Sequence, residues 1–164
     1  MADDELIRAV EAGDLDRVDA LIGAGGDPEA TDPHGVPALV LAAIRGEPEI
    51  VRRLLAAGAD PDRCYGDRGM TALMVAGSQL ECIRVLIEGG ADVNVRSADG
   101  ANAALCVLYD GDASLDAARI LLEAGAYPTV ADEVARQCAL DITAAADRAL
   151  FIELGFDPDQ RPEP

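Results

Sequence analysis

The chain has no tryptophan and a single histidine, and aromatic residues fill only 3% of its 164 positions. With Ala and Leu carrying the apolar load, a sheet core built on aromatic and β-branched side chains is disfavoured, and close helix packing is expected. Lysine is absent too: all thirteen basic residues are Arg, against thirty-one acids, for a net charge of -18. Such a field repels nucleic-acid phosphates and anionic membranes, and it steers basic proteins toward the chain. The surplus is strongest at the ends, with nine acids against two Arg in 1–31 and eight against three in 129–164.

Metal, redox and membrane signals are equally thin. Cys64, Cys82, Cys106 and Cys138 stand 18, 24 and 32 residues apart with no C-x-x-C pair, which is no zinc-ligand spacing. Cys82 shares a helical face with Ile83, Leu86 and Ile87, so it reads as a small core residue and not as a reactive thiol. Runs such as PALVLAAI fall far short of the roughly 20 residues that span a bilayer. The opening MADDELIRAV has neither the basic start nor the apolar centre of a secretory signal. The expectation is a cytoplasmic protein in a reducing compartment, with neither nucleic acid nor membrane as its partner.

Catalytic machinery is hard to assemble from what remains. His34, beside Asp32, is the one side chain suited to acid-base work near neutrality. No G-x-S-x-G elbow, phosphate-binding glycine loop or metal-binding histidine pair accompanies it. No enzyme activity and no cofactor are expected. Asp110, Asp112, Ser114 and Asp116 alternate like the start of a calcium loop. Leu115 and Leu121 occupy the places where that loop needs Gly and Glu, so it is incomplete.

What the chain does have is repetition. LLAAGADPD (54–62) recurs as LIGAGGDPE, LIEGGADVN, LLEAGAYPT and IELGFDPDQ, and the aligned Gly25, Gly58, Gly90, Gly125 and Gly155 lie 33, 32, 35 and 30 residues apart. A period near 33 marks a stacked array. Within one period, Ile50, Val51, Leu54 and Leu55 form one helical stripe with Arg52 and Arg53 opposite. Gly58 stops that helix, and Asp60 before Pro61 leads the chain out into a loop. Upstream, Ala38, Leu39, Ala42 and Ala43 mark a shorter helix, and Arg45-Gly46 makes the turn between the two. Two such helices bury too little surface to offset their ordering entropy, so the units must stack.

DPHGVPALVLAAIRGEPEIVRRLLAAGADPD resembles an ankyrin repeat, and GDRGMTALMVAGSQLECIRVLIEGGADVN does so more loosely. The resemblance implies an all-α solenoid of stacked helix-turn-helix units joined by hairpin-like fingers. It covers one domain, 1–164, with repeats at about 3–31, 32–65, 66–98, 99–131 and 132–159, the outer two degenerate caps, and a flexible tail at 160–164. The T-P-L-H opening of that family keeps its Thr only at Thr71; Pro37, Ala103 and Cys138 stand at the other cap positions. A lost cap costs about 1 kcal/mol, which points to a modestly stable array unfolding below ~90 °C. The turn between helices is two residues shorter in the third repeat than in the second, and one longer in the fourth.

The same resemblance implies a concave surface of fingers and inner helices that binds another protein. Position by position, the second repeat would contribute His34, Val36, Ile44 and Arg45, with Pro33 beside them, and the third Asp67, Arg68, Met70 and Ser78. Tyr65 and Arg96 lie on the preceding fingers, and the fourth repeat would add Asp99, Asn102, Tyr109 and Asp110. Exposed Tyr, Met, Ile and Arg are the residue types that dominate interfaces. The function expected is a non-catalytic, monomeric module with one protein partner, with an acidic inhibitor or immunity protein that neutralises a basic effector as the alternative.

Overall fold

A computed structural model describes residues 2–109 and 115–126, which carry eight α-helices and no strand. The helices come in pairs: α1 (Ala2–Ala12) with α2 (Leu15–Gly23), α3 (Ala38–Arg45) with α4 (Pro48–Ala56), α5 (Ala72–Val75) with α6 (Leu80–Glu88), and α7 (Ala103–Tyr109) with α8 (Leu115–Glu123). First helices pack on first helices, α1 on α3, α3 on α5 and α5 on α7, while α2, α4, α6 and α8 form a second row. The result is a two-layer solenoid in which each repeat touches its neighbours. The fifth unit expected at 132–159 and the tail at 160–164 lie outside the described residues.

The two rows bury different amounts of themselves. In α4 the stripe residues Ile50, Val51 and Leu54 are buried and Leu55 half-buried, with Glu49, Arg52 and Arg53 exposed. In α3, Ala38, Leu39, Val40, Ala42 and Ala43 are all buried, because this helix is covered by α1, α5 and its own partner. Small side chains let those neighbours approach closely. Leu6, Val18, Leu54, Leu73, Ile83, Leu86, Val107 and Leu121 run through all four described repeats, so one apolar seam links the stack. Fully burying a Leu or Ile contributes roughly 1.5–3 kcal/mol, which places the dominant stabilisation in this seam.

The second helices end identically. Past α4, Gly58 takes φ +101°, a left-handed conformation that costs an L side chain roughly 1–2 kcal/mol. That conformation lets the Ala59 amide donate to the Leu54 carbonyl at 3.0 Å, closing the last turn. The same bond forms from Gly26 to Leu21, Ala91 to Leu86 and Ala126 to Leu121, at 2.9–3.0 Å.

First-helix starts differ from the sequence expectation in one place. Thr71 caps α5, accepting from the Met74 amide, and Pro37 precedes α3 without a side-chain bond. The fourth repeat is capped by Asn102, whose Oδ1 accepts from the Leu105 amide at 3.1 Å, so Ala103 is the first helical residue and not the cap. An Asn caps as well as a Thr, which the T-P-L-H comparison concealed. The turn lengths change accordingly. First and second helices start ten residues apart in the second repeat, eight in the third and twelve in the fourth, which is two residues longer and not one.

Candidate functional site

Each finger is anchored by a pair of polar residues with divided duties. Asp27, Asp60 and Asp92 each fold back on their own chain, Oδ1 accepting from the amide two residues on (Glu29, Asp62, Asn94) at 2.8–2.9 Å. That second residue reaches across to the next repeat. Glu29 accepts from the Asp60 amide at 2.5 Å, Asp62 from the Asp92 amide at 2.9 Å, and Asn94 Nδ2 donates to the Gly125 carbonyl at 3.0 Å. Arg63 adds an ion pair to the Glu29 carboxylate and a bond to the Glu29 carbonyl at 2.8 Å. The recurring D-x-N/D/E is therefore a turn followed by a clamp.

The finger tips are short antiparallel reversals, with single bridges at Thr31–Pro37 and Tyr65–Met70. In the second repeat Asp32 holds the tip, its Oδ1 accepting from the His34 and Val36 amides, both at 2.8 Å. The fourth repeat puts Ser97 at that position, where its Oγ accepts from the Ala101 amide at 3.2 Å. In the third repeat Gly66 stands there with φ +65°, so backbone conformation replaces the side-chain bond. Neighbouring tips are joined: the Ala98 amide donates to the Arg68 carbonyl at 2.7 Å, and Arg68 Nε meets Asp99 Oδ2 at 2.7 Å. The Asp99 carboxylate holds the Arg68 guanidinium above its ordinary pKa.

Most of the residues singled out from the sequence lie on these fingers and on the ends of the first helices. His34, Arg45, Asp67, Arg68, Arg96 and Asp99 are exposed, as are Pro33 and Ser78; Val36, Tyr65 and Met70 are half-buried. Ile44 is 50% exposed, the one large hydrophobic so exposed among the described residues. Asn102 does not belong with them. It is buried at 3% exposure, turned into the cap of α7, and offers no side chain to a partner. Tyr109 ends α7 with its side chain outside the described residues, and Asp110 lies outside them too, as does most of the Asp110–Asp116 turn.

Two features escaped the sequence reading. Leu41, Val75 and Cys106, at equivalent positions of α3, α5 and α7, are half-buried against the core and add apolar surface to the first-helix row. Their signal was available, since Val36 to Ile44 contains no polar residue. The clamping role of Glu29, Asp62 and Asn94 was the other, and only the spacing across repeats could have hinted at it. Cys82 is 1% exposed, and burial pushes its thiol up to about 11, helped by Glu47 and Glu81. Such a thiol stays protonated at neutral pH and is a poor nucleophile. No helix among the described residues is long and apolar enough to cross a membrane.

Comparison with known proteins matches residues 6–97, more than half of the chain, to the family model for ankyrin repeats in three copies. A putative ankyrin repeat-containing protein of Treponema pallidum is 33% identical over 134 residues, covering 80% of this chain and 44% of that protein. The human ankyrin repeat and SOCS box protein 16 is 33% identical over 108 residues, 65% of this chain and 23% of its own length. The E3 ubiquitin-protein ligase KEG of Arabidopsis thaliana is also 33% identical, over 78% of this chain but only 9% of its own. The chain thus spans less than half the length of these relatives, and the likeness is to their repeats.

Proposed function

Because the chain belongs to the ankyrin-repeat family, whose repeats are generally protein-protein interaction modules, we propose that it is a non-catalytic module holding one protein partner on its fingers and first helices. The observation that supports this reading is the row formed by consecutive repeats: exposed His34 on the second finger, Asp67, Arg68 and Asp99 on the third and fourth, whose tips are tied together by a backbone bond and an ion pair, and Ile44 and Arg45 exposed at the far end of α3. A pre-organised row of this kind binds with little loss of loop entropy. The whole chain, 1–164, acts as a single cytoplasmic domain and is monomeric on its own. A monomer would give one species of about 17 kDa by light scattering at micromolar concentration.

Affinity capture from the native host, read by mass spectrometry, tests the reading with two variants alongside the parent. Ile44→Asp combined with Arg45→Glu disrupts the first-helix face, and Glu81→Lys alters the far side on α6. A protein retained by the parent and by Glu81→Lys but lost from the double variant supports the assignment. Equal retention by all three, or none by any, refutes it.

A second reading, an acidic inhibitor or immunity protein that neutralises a basic effector, is favoured by the net charge of -18. It requires an association that weakens steeply between 50 and 500 mM salt.

A further inference from the structure

Aspartates recur on the fingers along the described stack, and the residue that follows each of them differs. Asp27, Asp32 and Asp60 precede Pro28, Pro33 and Pro61, Asp62 and Asp67 precede Arg63 and Arg68, Asp92 precedes Val93, and Asp99 precedes Gly100. The neighbour matters because the backbone nitrogen after an aspartate can attack its side-chain carboxyl carbon. A Pro nitrogen has no hydrogen to give up, and an Arg or Val side chain crowds the approach. Gly offers an N–H with no side chain in the way. Among the described residues Asp99 is the one Asp followed by Gly, and it is exposed on the tip of the fourth finger.

This dipeptide is held from several sides. The Gly100 amide donates to the Ser97 carbonyl at 2.9 Å, and Arg96 Nη1 donates to the Gly100 carbonyl at 3.4 Å. Around them, Ser97 and Ala101 close the turn, the Ser97 amide donating to the Ala101 carbonyl at 2.8 Å and the Ala101 amide to Ser97 Oγ at 3.2 Å. The carboxyl group itself is held by another repeat: Arg68 Nε, on the third finger, meets Asp99 Oδ2 at 2.7 Å. That charge-assisted bond favours the open carboxylate over any cyclic product, because the imide formed by ring closure is neutral and the ion pair is lost on the way to it.

We propose that Asp99–Gly100 is a site of spontaneous modification, at which Asp99 converts to isoaspartate through a cyclic imide, and that Arg68 of the neighbouring finger is the residue that slows it. In the first step the Gly100 nitrogen bonds to the Asp99 side-chain carboxyl carbon, and its proton leaves with the carboxyl hydroxyl as water. Water then adds back to the imide. Cleavage between the nitrogen and the side-chain carbon restores Asp99, whereas cleavage between the nitrogen and the main-chain carbonyl carbon leaves the chain running through the side chain. Water lost equals water gained, so the mass is unchanged. The main chain is longer by one methylene, inside the turn whose length lets Ser97 and Ala101 bond to each other.

The full chain, Arg68→Ala and Asp99→Glu are incubated at 37 °C and pH 7.4, with circular dichroism confirming that each is folded. Digests are followed by liquid chromatography and mass spectrometry, where an isoaspartyl peptide keeps its mass and changes its retention. In the parent, isoaspartate is expected at Asp99 ahead of every other described Asp. It should form about two- to fivefold faster in Arg68→Ala, the range open to an exposed ion pair. Asp99→Glu should stay unmodified at this position, since its longer side chain has to close a larger ring. In concentrated guanidinium chloride, where the folded pair is gone, the parent and Arg68→Ala should react at one rate. Equal rates in the folded proteins, or a difference that persists in denaturant, overturn the role of Arg68. Isoaspartate absent from Asp99 in both folded proteins, or faster to form at another described Asp, overturns the site.

Discussion

The second helices of all four described repeats are nine residues long and stop two residues before a left-handed Gly, whereas the first helices α3 and α5 run to eight and four. The spacing from first-helix start to second-helix start varies with them, ten residues in the second repeat, eight in the third and twelve in the fourth. Regularity and variation therefore lie on opposite sides of the same molecule. The second row is fixed at its C-terminal end: the closing bond after the Gly stop finishes each helix, and the clamp from Glu29, Asp62 or Asn94 ties the loop beyond it to the next repeat. The first row has its variable end at the turn beside Ile44, Arg45 and Ser78. A frame that cannot drift carries a side that can, which suits a surface fitted to one partner.

Inserting two residues into each row is the strongest way to break that comparison. After Ser78, an insertion brings the spacing of helix starts in the third repeat to the ten residues already found in the second and costs less than about 1 kcal/mol. After Val85, it rotates the remainder of α6 by about 200° relative to its first half. Leu86, fully buried, leaves its place, and the stop at Gly90 loses register, for a loss of at least ~3 kcal/mol. Urea denaturation of the two insertion variants decides it, and equal costs would dissolve the distinction between rows.

Smaller changes sharpen it. Gly58→Ala and Gly90→Ala meet no atom within 4 Å, yet sit at φ +101° and +94°, so each loses about 1–2 kcal/mol from backbone conformation alone. Their losses are expected to match within error, because the second row repeats its stop. First-row caps are expected to disagree: Thr71→Ala and Asn102→Ala each cost about 1 kcal/mol, while Pro37→Ala loses no side-chain cap bond. Thermal melts that ranked all three alike would show that these cap bonds are not what holds the first helices.

The regular row was the legible one. Gly25, Gly58, Gly90 and Gly125 announce the period because a left-handed stop admits almost no other residue, and the stripe Ile50, Val51, Leu54 must face inward in every copy. The first row was read less well for a physical reason as well. A cap can be made by Thr, Asn or Ser, so Asn102 passed as a surface residue although its amide group is buried over α7. The clamps were hidden because Asp62 looks like any loop acid until its partner, the Asp92 amide thirty residues on, is placed beside it.

Asp62 carries the smallest expected effect and the clearest sign. Burial raises its carboxyl above the ordinary value, with Asp92 and Asp60 adding repulsion and the bond from the Asp92 amide opposing it. A folded-state pKa above the unfolded one means that the folded chain holds the proton over a range where the unfolded chain has released it. Stability from this group is thus fully present below the ordinary carboxylate value, near pH 4, and is lost as pH rises through the raised value. Asp62→Asn keeps an oxygen to accept from the Asp92 amide and removes the charge. At pH 7 the variant is expected to be more stable than the parent by less than about 1 kcal/mol, a modest amount because the side chain is only partly buried. The difference should shrink on acidification and vanish below about pH 4, where both forms are uncharged at this position. Melting curves of the pair from pH 7 to pH 3.5 test this, and a gap that stays constant or widens toward acid would mean that the Asp62 clamp is favourable in its ionised form.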